Sequence, residues 1–264
     1  MNHPRSYLFV PGHRPDRFGK AASSGAHRII IDLEDAVGPQ DKDFARQHAM
    51  QWFVEDGIGV VRINGADTPW FEADLAALAE CPQAAVMVPK ADTQSIALVA
   101  RALPDRPLIA IVESVDGLVE AGAVAASQGV ARLAFGNLDF GADARIPGTG
   151  AVLDPARFQI VVACRRAGLP PPIDGVTVAL QDESALAADI ARARDLGFTA
   201  KLCIHPSQVA RVNAGFAPSE AEIDWARRIV SAIEASAGAA VQVDGKMVDR
   251  PVLERARAIL AEIA

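Results

Sequence analysis

Ile29-Ile30-Ile31-Asp32-Leu33-Glu34-Asp35-Ala36-Val37 is a short apolar run that ends in three acids within four residues. Such a run reads as a buried strand, and carboxylates are rarely buried unless they are paired or bound to a cation. The stretch therefore predicts a strand whose last residues open onto a site. Two-residue periodicity places Asp32 and Glu34 on one face and turns Asp35 away or into the following loop. The competing reading is an acidic helix start after the strand, with Asp35 as its cap. The segments on either side bear on that choice.

Strand-like runs recur along the chain at 6–10, 60–64, 84–88, 108–113, 130–139, 173–178 and 200–204, which with the opening stretch makes eight. Helical stretches fall between them, at 15–24, from Gly38-Pro39 to 55, up to 79, and at 92–103, 118–127, 154–167 and 182–196. Strict alternation of this kind predicts an α/β fold, a (β/α)8 TIM barrel, over an open doubly wound sheet. Beyond it come a helix at 220–236, the segment Ala237-Gly238-Ala239, a strand at 241–243, the hairpin signal Asp244-Gly245 and a last helix at 252–263. The expected division is a catalytic barrel over 1–217 and a C-terminal helical and hairpin extension over 218–264. That extension would pack on the barrel or on a neighbouring subunit, as a lid in the second case. No GxGxxG or GxxxxGK[ST] motif is present, which removes the usual support for a dinucleotide or P-loop site.

The 264 residues suffice for one large core, and the formal net charge of −7 opposes nucleic-acid binding. Cys81, Cys164 and Cys203 lie far apart, without zinc or redox spacing, and read as small core hydrophobes. The apolar run near the N-terminus is too short for a secretory or membrane segment, so a soluble cytoplasmic protein is expected.

Residues at the C-terminal ends of barrel strands converge on one face. Glu34, Arg62, Glu113 and Asp139 would therefore meet there. Glu113 and Asp139 offer oxygen ligands to a hard cation such as Mg²⁺, which keeps waters and takes substrate oxygens for its other positions. Glu34 and Asp35 could hydrogen-bond those waters, and Asp32 would anchor nearby basic groups. A two-carboxylate glycosidase is a rival, but one tyrosine and three tryptophans leave few sugar platforms. The loop from Pro11 to Arg17, with Arg14, can hold phosphate or carboxylate, or be a solvated turn. Lys90 could neutralise the acids or lie at the rim. His205 could be a metal ligand or a satisfied loop histidine.

The blocks carrying this reading also carry a resemblance. Arg5-Ser6 through Phe9-Val10-Pro11-Gly12, Ile31-Asp32-Leu33-Glu34-Asp35-Ala36-Val37, Val61-Arg62-Ile63-Asn64 and Val88-Pro89-Lys90 appear in order. Ile111-Val112-Glu113-Ser114, Phe135-Gly136-Asn137-Leu138-Asp139 and Lys201-Leu202-Cys203-Ile204-His205-Pro206-Ser207-Gln208 follow. In these the chain resembles the citrate lyase beta-subunit family, within the HpcH/HpaI aldolase superfamily. The resemblance implies Mg²⁺-dependent carbon–carbon cleavage of a citryl-, citramalyl- or malyl-type thioester of CoA or an acyl-carrier protein, giving a keto acid such as oxaloacetate and an acetyl thioester.

It further implies Glu113 and Asp139 as metal ligands, Glu113 also touching substrate, and Arg62 as the group that stabilises enolate oxygen. Arg14 and Lys20 match positions near the phosphates of CoA or phosphopantetheine. Asp249, in Gly245-Lys246-Met247-Val248-Asp249-Arg250-Pro251, matches an acid or base supplied by an adjacent subunit; its other reading is a helix cap. A homotrimer or larger assembly is implied too, as is association with other lyase-complex subunits. The alternatives are a pyruvate-forming aldolase acting on a free hydroxy-keto acid and a noncatalytic subunit. Two departures stand out: Gly136-Asn137-Leu138 alters the approach to Asp139, and His27 replaces an aspartate before the second strand.

Overall fold

The computed structural model describes residues 3–235 and 241–263. The predicted segment Ala237-Gly238-Ala239 and the predicted helix end at Ser236 lie outside them. The chain divides into two compact units, Pro4–Gly215, and Phe216–Ala264 together with Met1–His3.

In the first unit eight parallel strands close into a barrel in sequence order: β1 (Ser6–Pro11), β2 (Arg28–Asp32), β3 (Val60–Arg62), β4 (Ala85–Val88), β5 (Leu108–Val112), β6 (Val130–Phe135), β7 (Ile173–Asp174) and β8 (Ala200–Cys203). Closure is made by β1 against β8, with Ser6 opposite Lys201 and Leu8 opposite Cys203. The helices are α1 (Phe18–Ala22), α2 (Lys42–Val54), α3 (Phe71–Ala79), α4 (Thr93–Ala102), α5 (Val115–Ala125), α6 (Asn137–Ala144), α7 (Asp154–Ala167), α8 (Glu183–Leu196) and α9 (Val209–Gly215). The strands read as near-continuous apolar runs because both of their faces are covered. Leu8, Ile29, Ile31, Val61 and Val86, on the faces turned to the helices, are as buried as the barrel interior.

The interior is filled by Tyr7, Ile30, Val60, Met87, Ile109, Ile111, Ala134, Ile173, Ala200 and Leu202. Side chains alternate across a strand, so each step of two residues along an inward-facing row stays inside. Carried toward the C-terminal end, the rows reach Phe9 and Pro11, Asp32, Arg62, Glu113, Gly136 and Ile204, all of which line one cavity. The strand period that packs the core thus also delivers the polar groups to the barrel mouth.

Three boundaries differ from expectation. β6 ends at Phe135 and the chain turns into α6, so Asp139 lies in the first turn of a helix and not at a strand end. α5 starts at Val115, capped by Ser114, whose hydroxyl accepts the Gly117 N–H at 3.0 Å. β7 is only two residues long, and α9 was not anticipated. All three cysteines are free and buried, and burial pushes the Cys164 thiol up to about 11 and that of Cys203 up to about 12.

The second unit consists of α10 (Glu220–Ala235), a hairpin of β9 (Val241–Val243) and β10 (Lys246–Val248), and α11 (Arg250–Ala261). Asp244 and Gly245 turn the hairpin with φ of 50° and 75°, the left-handed pair that a tight hairpin requires. Its own small core holds Ala226, Ile229, Ile233, Val248 and Ala256.

Candidate active site

A cavity of about 410 Å³ opens at the barrel mouth, lined by Asp32, Asp35, Arg62, Glu113, Asn137 and Asp139 among apolar walls that include Phe9, Ile111, Val176 and Leu202. Arg62 is its centre. The guanidinium forks onto Asp32, with Nε donating to Oδ1 and Nη2 to Oδ2, each at 2.7 Å. Nη1 lies 2.8 Å from Glu34 Oε2 and 3.4 Å from Asp35 Oδ2, and the group sits 4.9 Å from the Phe9 ring centroid. Burial works against its charge, but the charge and hydrogen bonds of Asp32 outweigh that and raise its pKa further.

One cation therefore faces three acids, and the imbalance shows in Glu34. Its Oε2, although close to Arg62, has no aligned hydrogen-bond donor. Burial first, then Asp35 and Asp32, push its carboxyl up to about 7 against the pull of Arg62. Glu113 is 4% exposed, and burial together with the Glu34 charge pushes it up to about 8. Its Oε1 accepts the main-chain N–H of Lys90 at 2.6 Å, with Lys90 in a left-handed conformation at φ 44°. Oε2 faces Gly136, where a Cβ would come within 2.5 Å of it, so only glycine leaves that oxygen room.

Asn137 fixes the loop beside Asp139. Its Oδ1 accepts the Val176 N–H at 2.7 Å, and its Nδ2 donates to Gly148 O at 2.7 Å and to Val176 O at 3.2 Å. Neither Gly136 nor Asn137 was singled out as functional from sequence, although their place at a barrel strand end was the available signal.

The residues present fit a hard cation. The donors in the cavity are carboxylate oxygens, burial and then the charge of Glu34, which stands just outside the lining, raise Glu113, and one Glu113 oxygen is kept clear. Among the described residues no set of three His, Cys, Asp or Glu side chains is arranged to hold a metal by itself. A two-carboxylate site completed by water and substrate oxygens is the habit of Mg²⁺.

The other expected residues stand elsewhere. Arg14 pairs with Asp16 at 2.8 Å at the surface, and Lys20 is exposed on α1; neither lines the cavity. Asp249, in the second unit, caps α11 by accepting the Val252 N–H at 3.4 Å. Lys90 touches Glu113 through its backbone while its side chain is exposed. His205 is a loop residue whose Nδ1 meets the Ser207 hydroxyl at 2.7 Å.

Comparison with known proteins gives the same picture. A family model described as HpcH/HpaI aldolase/citrate lyase matches residues 5–206. The chain is 36% identical over 277 residues to a (3S)-malyl-CoA thioesterase of Cereibacter sphaeroides, spanning 98% of this chain and 95% of that protein. It is 36% identical over 261 residues to a citrate lyase subunit beta-like protein of Mycobacterium tuberculosis, spanning 96% and 93%. The crystal structure of the protein CitE from Mycobacterium tuberculosis, in complex with magnesium, acetoacetate and coenzyme A, matches with a TM-score of 0.86 at 33% identity, covering 99% of this chain and 98% of that one. By fold, by the order of its motifs and by these relatives, the chain belongs to the HpcH/HpaI aldolase/citrate lyase family.

Proposed function

We propose that this protein is a Mg²⁺-dependent carbon–carbon lyase that cleaves β-hydroxyacyl thioesters of CoA, of the malyl, citramalyl or citryl type, to a keto acid and an acetyl thioester. The observation that carries the reading is the single cavity in which Arg62, held by Asp32, faces Glu113 and Asp139. The magnesium, acetoacetate and coenzyme A bound by the related CitE structure support it.

Glu113 and Asp139 would hold the Mg²⁺, which supplies Lewis-acid polarisation of the α-hydroxy or keto acid when bound. Glu34 and Asp35 would orient its waters. Arg62 donates to the thioester oxygen as negative charge develops there, and the Asp32 fork keeps the guanidinium in place before reaction. Asp249 is assigned as the proton carrier, supplied by a neighbouring copy in a homotrimer or larger assembly. It removes the proton of the substrate hydroxyl; the carbon–carbon bond breaks, its electron pair passes into the thioester enolate, and a proton returned to the enolate carbon gives the acetyl product. Arg14 and Lys20 are assigned to the phosphates of the CoA or phosphopantetheine arm. The barrel, 1–217, is the catalytic part in this reading, and 218–264 the extension that brings Asp249. A cytoplasmic location is part of this proposal; no helix among the described residues is long and apolar enough to cross a membrane.

The thioesterase name of the Cereibacter relative favours a second reading, hydrolysis of the thioester. One experiment separates the two: purified protein with Mg²⁺ and malyl-, citramalyl- and citryl-CoA, and with free hydroxy-keto acids, followed by mass identification of products. An acetyl thioester plus a keto acid is the expected result. Free CoA plus the intact hydroxy acid establishes hydrolysis, and cleavage of free acids alone establishes an aldolase. Turnover of a CoA thioester by the isolated protein also rules out a noncatalytic role, whereas a requirement for a carrier and other subunits points to a lyase complex.

A further inference from the structure

Beneath the acidic loop that follows β2 lies a lysine with no carboxylate partner of its own. Lys42, at the start of α2, is 6% exposed. Its Nζ donates to Leu33 O at 2.7 Å, Glu34 O at 2.8 Å and Asn64 Oδ1 at 2.6 Å, which uses all three of its hydrogens. Asn64 is held in turn by Asp74 of α3, whose Oδ2 accepts both the Asn64 N–H at 2.9 Å and its Nδ2 at 2.7 Å. Arg46 Nε closes the row on Asp74 Oδ1 at 2.7 Å.

The two carbonyls that Lys42 grips belong to the peptides that shape the mouth. Leu33 N–H donates to Arg62 O at 2.9 Å. Glu34 N–H donates to Asp32 Oδ1 at 3.0 Å and Ala36 N–H to Asp32 Oδ2 at 3.2 Å. Each oxygen of Asp32 thus takes one hydrogen bond from this loop and one from Arg62. Orientation of the guanidinium depends on the Asp32 carboxylate, the carboxylate on the loop amides, and the loop on Lys42.

A buried ammonium is costly to desolvate, and a packed apolar side chain would join α2 to the barrel at less cost. What the ammonium adds is direction at three oxygens, together with attraction for the surrounding Asp32, Asp74, Glu34 and Asp35. We infer that Lys42 is a positioning residue for the reaction, holding the Leu33-Glu34 peptides so that Asp32 presents Arg62 to the substrate. The inference rests on the role proposed for Arg62.

The test is a cycle of variants. Lys42→Met keeps the length of the side chain and removes every donor, and Lys42→Gln is the substitute if the methionine variant does not fold. For whichever thioester the wild type cleaves, kcat is expected to fall about 10–100-fold in Lys42→Met, the range typical of residues supporting a functional group. In an Arg62→Lys background the same change should lower kcat by less than about threefold more, because the group it positions is already altered. Equal factors in both backgrounds, or wild-type kcat in Lys42→Met, overturn the inference.

A second readout needs no turnover. In ¹⁵N-arginine-labelled protein the Arg62 Nε–H, held on Asp32, should exchange with solvent faster in Lys42→Met. The Arg157 Nε–H, held at 2.8 Å on Asp174, should keep its protection. Unchanged exchange at Arg62 counts against the inference, as does equal loss at both arginines, which signals general loosening. If the wild type cleaves no thioester, the proposed function fails while this measurement still decides whether Lys42 holds Arg62.

Discussion

Two buried ion clusters sit in one barrel and are built with opposite balance. At β2 and β3 three acids, buried Asp32 and Glu34 and exposed Asp35, contact Arg62, while the Lys42 ammonium beneath them is spent on Leu33 O, Glu34 O and Asn64 Oδ1. At β7 and β8 one fully buried acid, Asp174, is gripped by Arg157 Nε at 2.8 Å and Lys201 Nζ at 2.8 Å, with Asp154 a longer 3.5 Å from Arg157. In the first, burial and crowding raise Glu34 to about 7; in the second, burial opposes the Asp174 charge, but Lys201 and then Arg157 outweigh it and hold the carboxyl below its usual value. A cluster with surplus negative charge invites a further cation, and one whose acid is fully satisfied has nothing left to bind. The comparison separates a site from a brace more sharply than burial does, since both are buried.

The largest effect should come from removing the proposed ligands. Glu113→Ala and Asp139→Ala are each expected to lower Mg²⁺-supported turnover by about 10³-fold or more, with Mg²⁺ affinity lost in calorimetry. Wild-type affinity in either variant would remove the distinction between the clusters. Asp174→Ala should instead act on folding. It leaves buried Lys201 without its acid and Arg157 with only the longer contact to Asp154 at 3.5 Å, and is expected to cost about 3–5 kcal/mol in chemical denaturation, the usual consequence of breaking a buried pair.

Asp249→Asn is expected to lower kcat by about 10²-fold with little change in substrate binding, as for loss of a general acid or base. Unchanged kcat would leave Asp249 only its cap on α11.

The two clusters should also titrate in opposite senses. Glu34 and Glu113 have folded pKa values, about 7 and about 8, above the ordinary 4.5. Their contribution to stability is therefore present below pH 4.5 and lost as pH rises through 7 and 8. On this account the metal-free protein should lose several kcal/mol between pH 5 and pH 8, and Mg²⁺ should restore stability more at pH 8 than at pH 5. Asp174, with its depressed value, contributes stability above the ordinary 3.8 that is lost only as pH falls further. Denaturation midpoints across pH, with and without Mg²⁺, check both signs. The smallest effect expected is for Arg14→Ala, a rise in KM for the CoA thioester of about tenfold, consistent with one lost charged hydrogen bond, and an unaltered midpoint.

Much of the barrel was legible because its information is local. Runs such as Leu108–Val112 declare themselves by composition, and the step of two that places Ile109 and Ile111 inside also places Glu113 at the mouth. Asp139 lines the cavity, but from a helix and not from the strand end expected. The apolar Leu133-Ala134-Phe135 run suggests a strand continuing past Gly136, whereas Asn137 turns the chain into α6 by bonding to Val176 and Gly148. Those partners lie 39 and 11 residues away, and no local pattern announces them. Lys42 was missed for a related reason: two of its acceptors are main-chain carbonyls, which every residue has. Asp32, by contrast, was expected to anchor basic groups, and the Arg62 fork is that anchor.

The donor that Lys90 lends to Glu113 is its main-chain N–H, so the hydrogen bond is indifferent to what side chain stands at that position. A substitution scan would report on the exposed ammonium and pass over the contact, with proline alone deleting the donor. Glycine there would ease the left-handed backbone and keep the bond. Tolerance at position 90 in such a scan would therefore measure backbone strain, and a site built partly from peptide groups can accept many sequences while keeping one geometry.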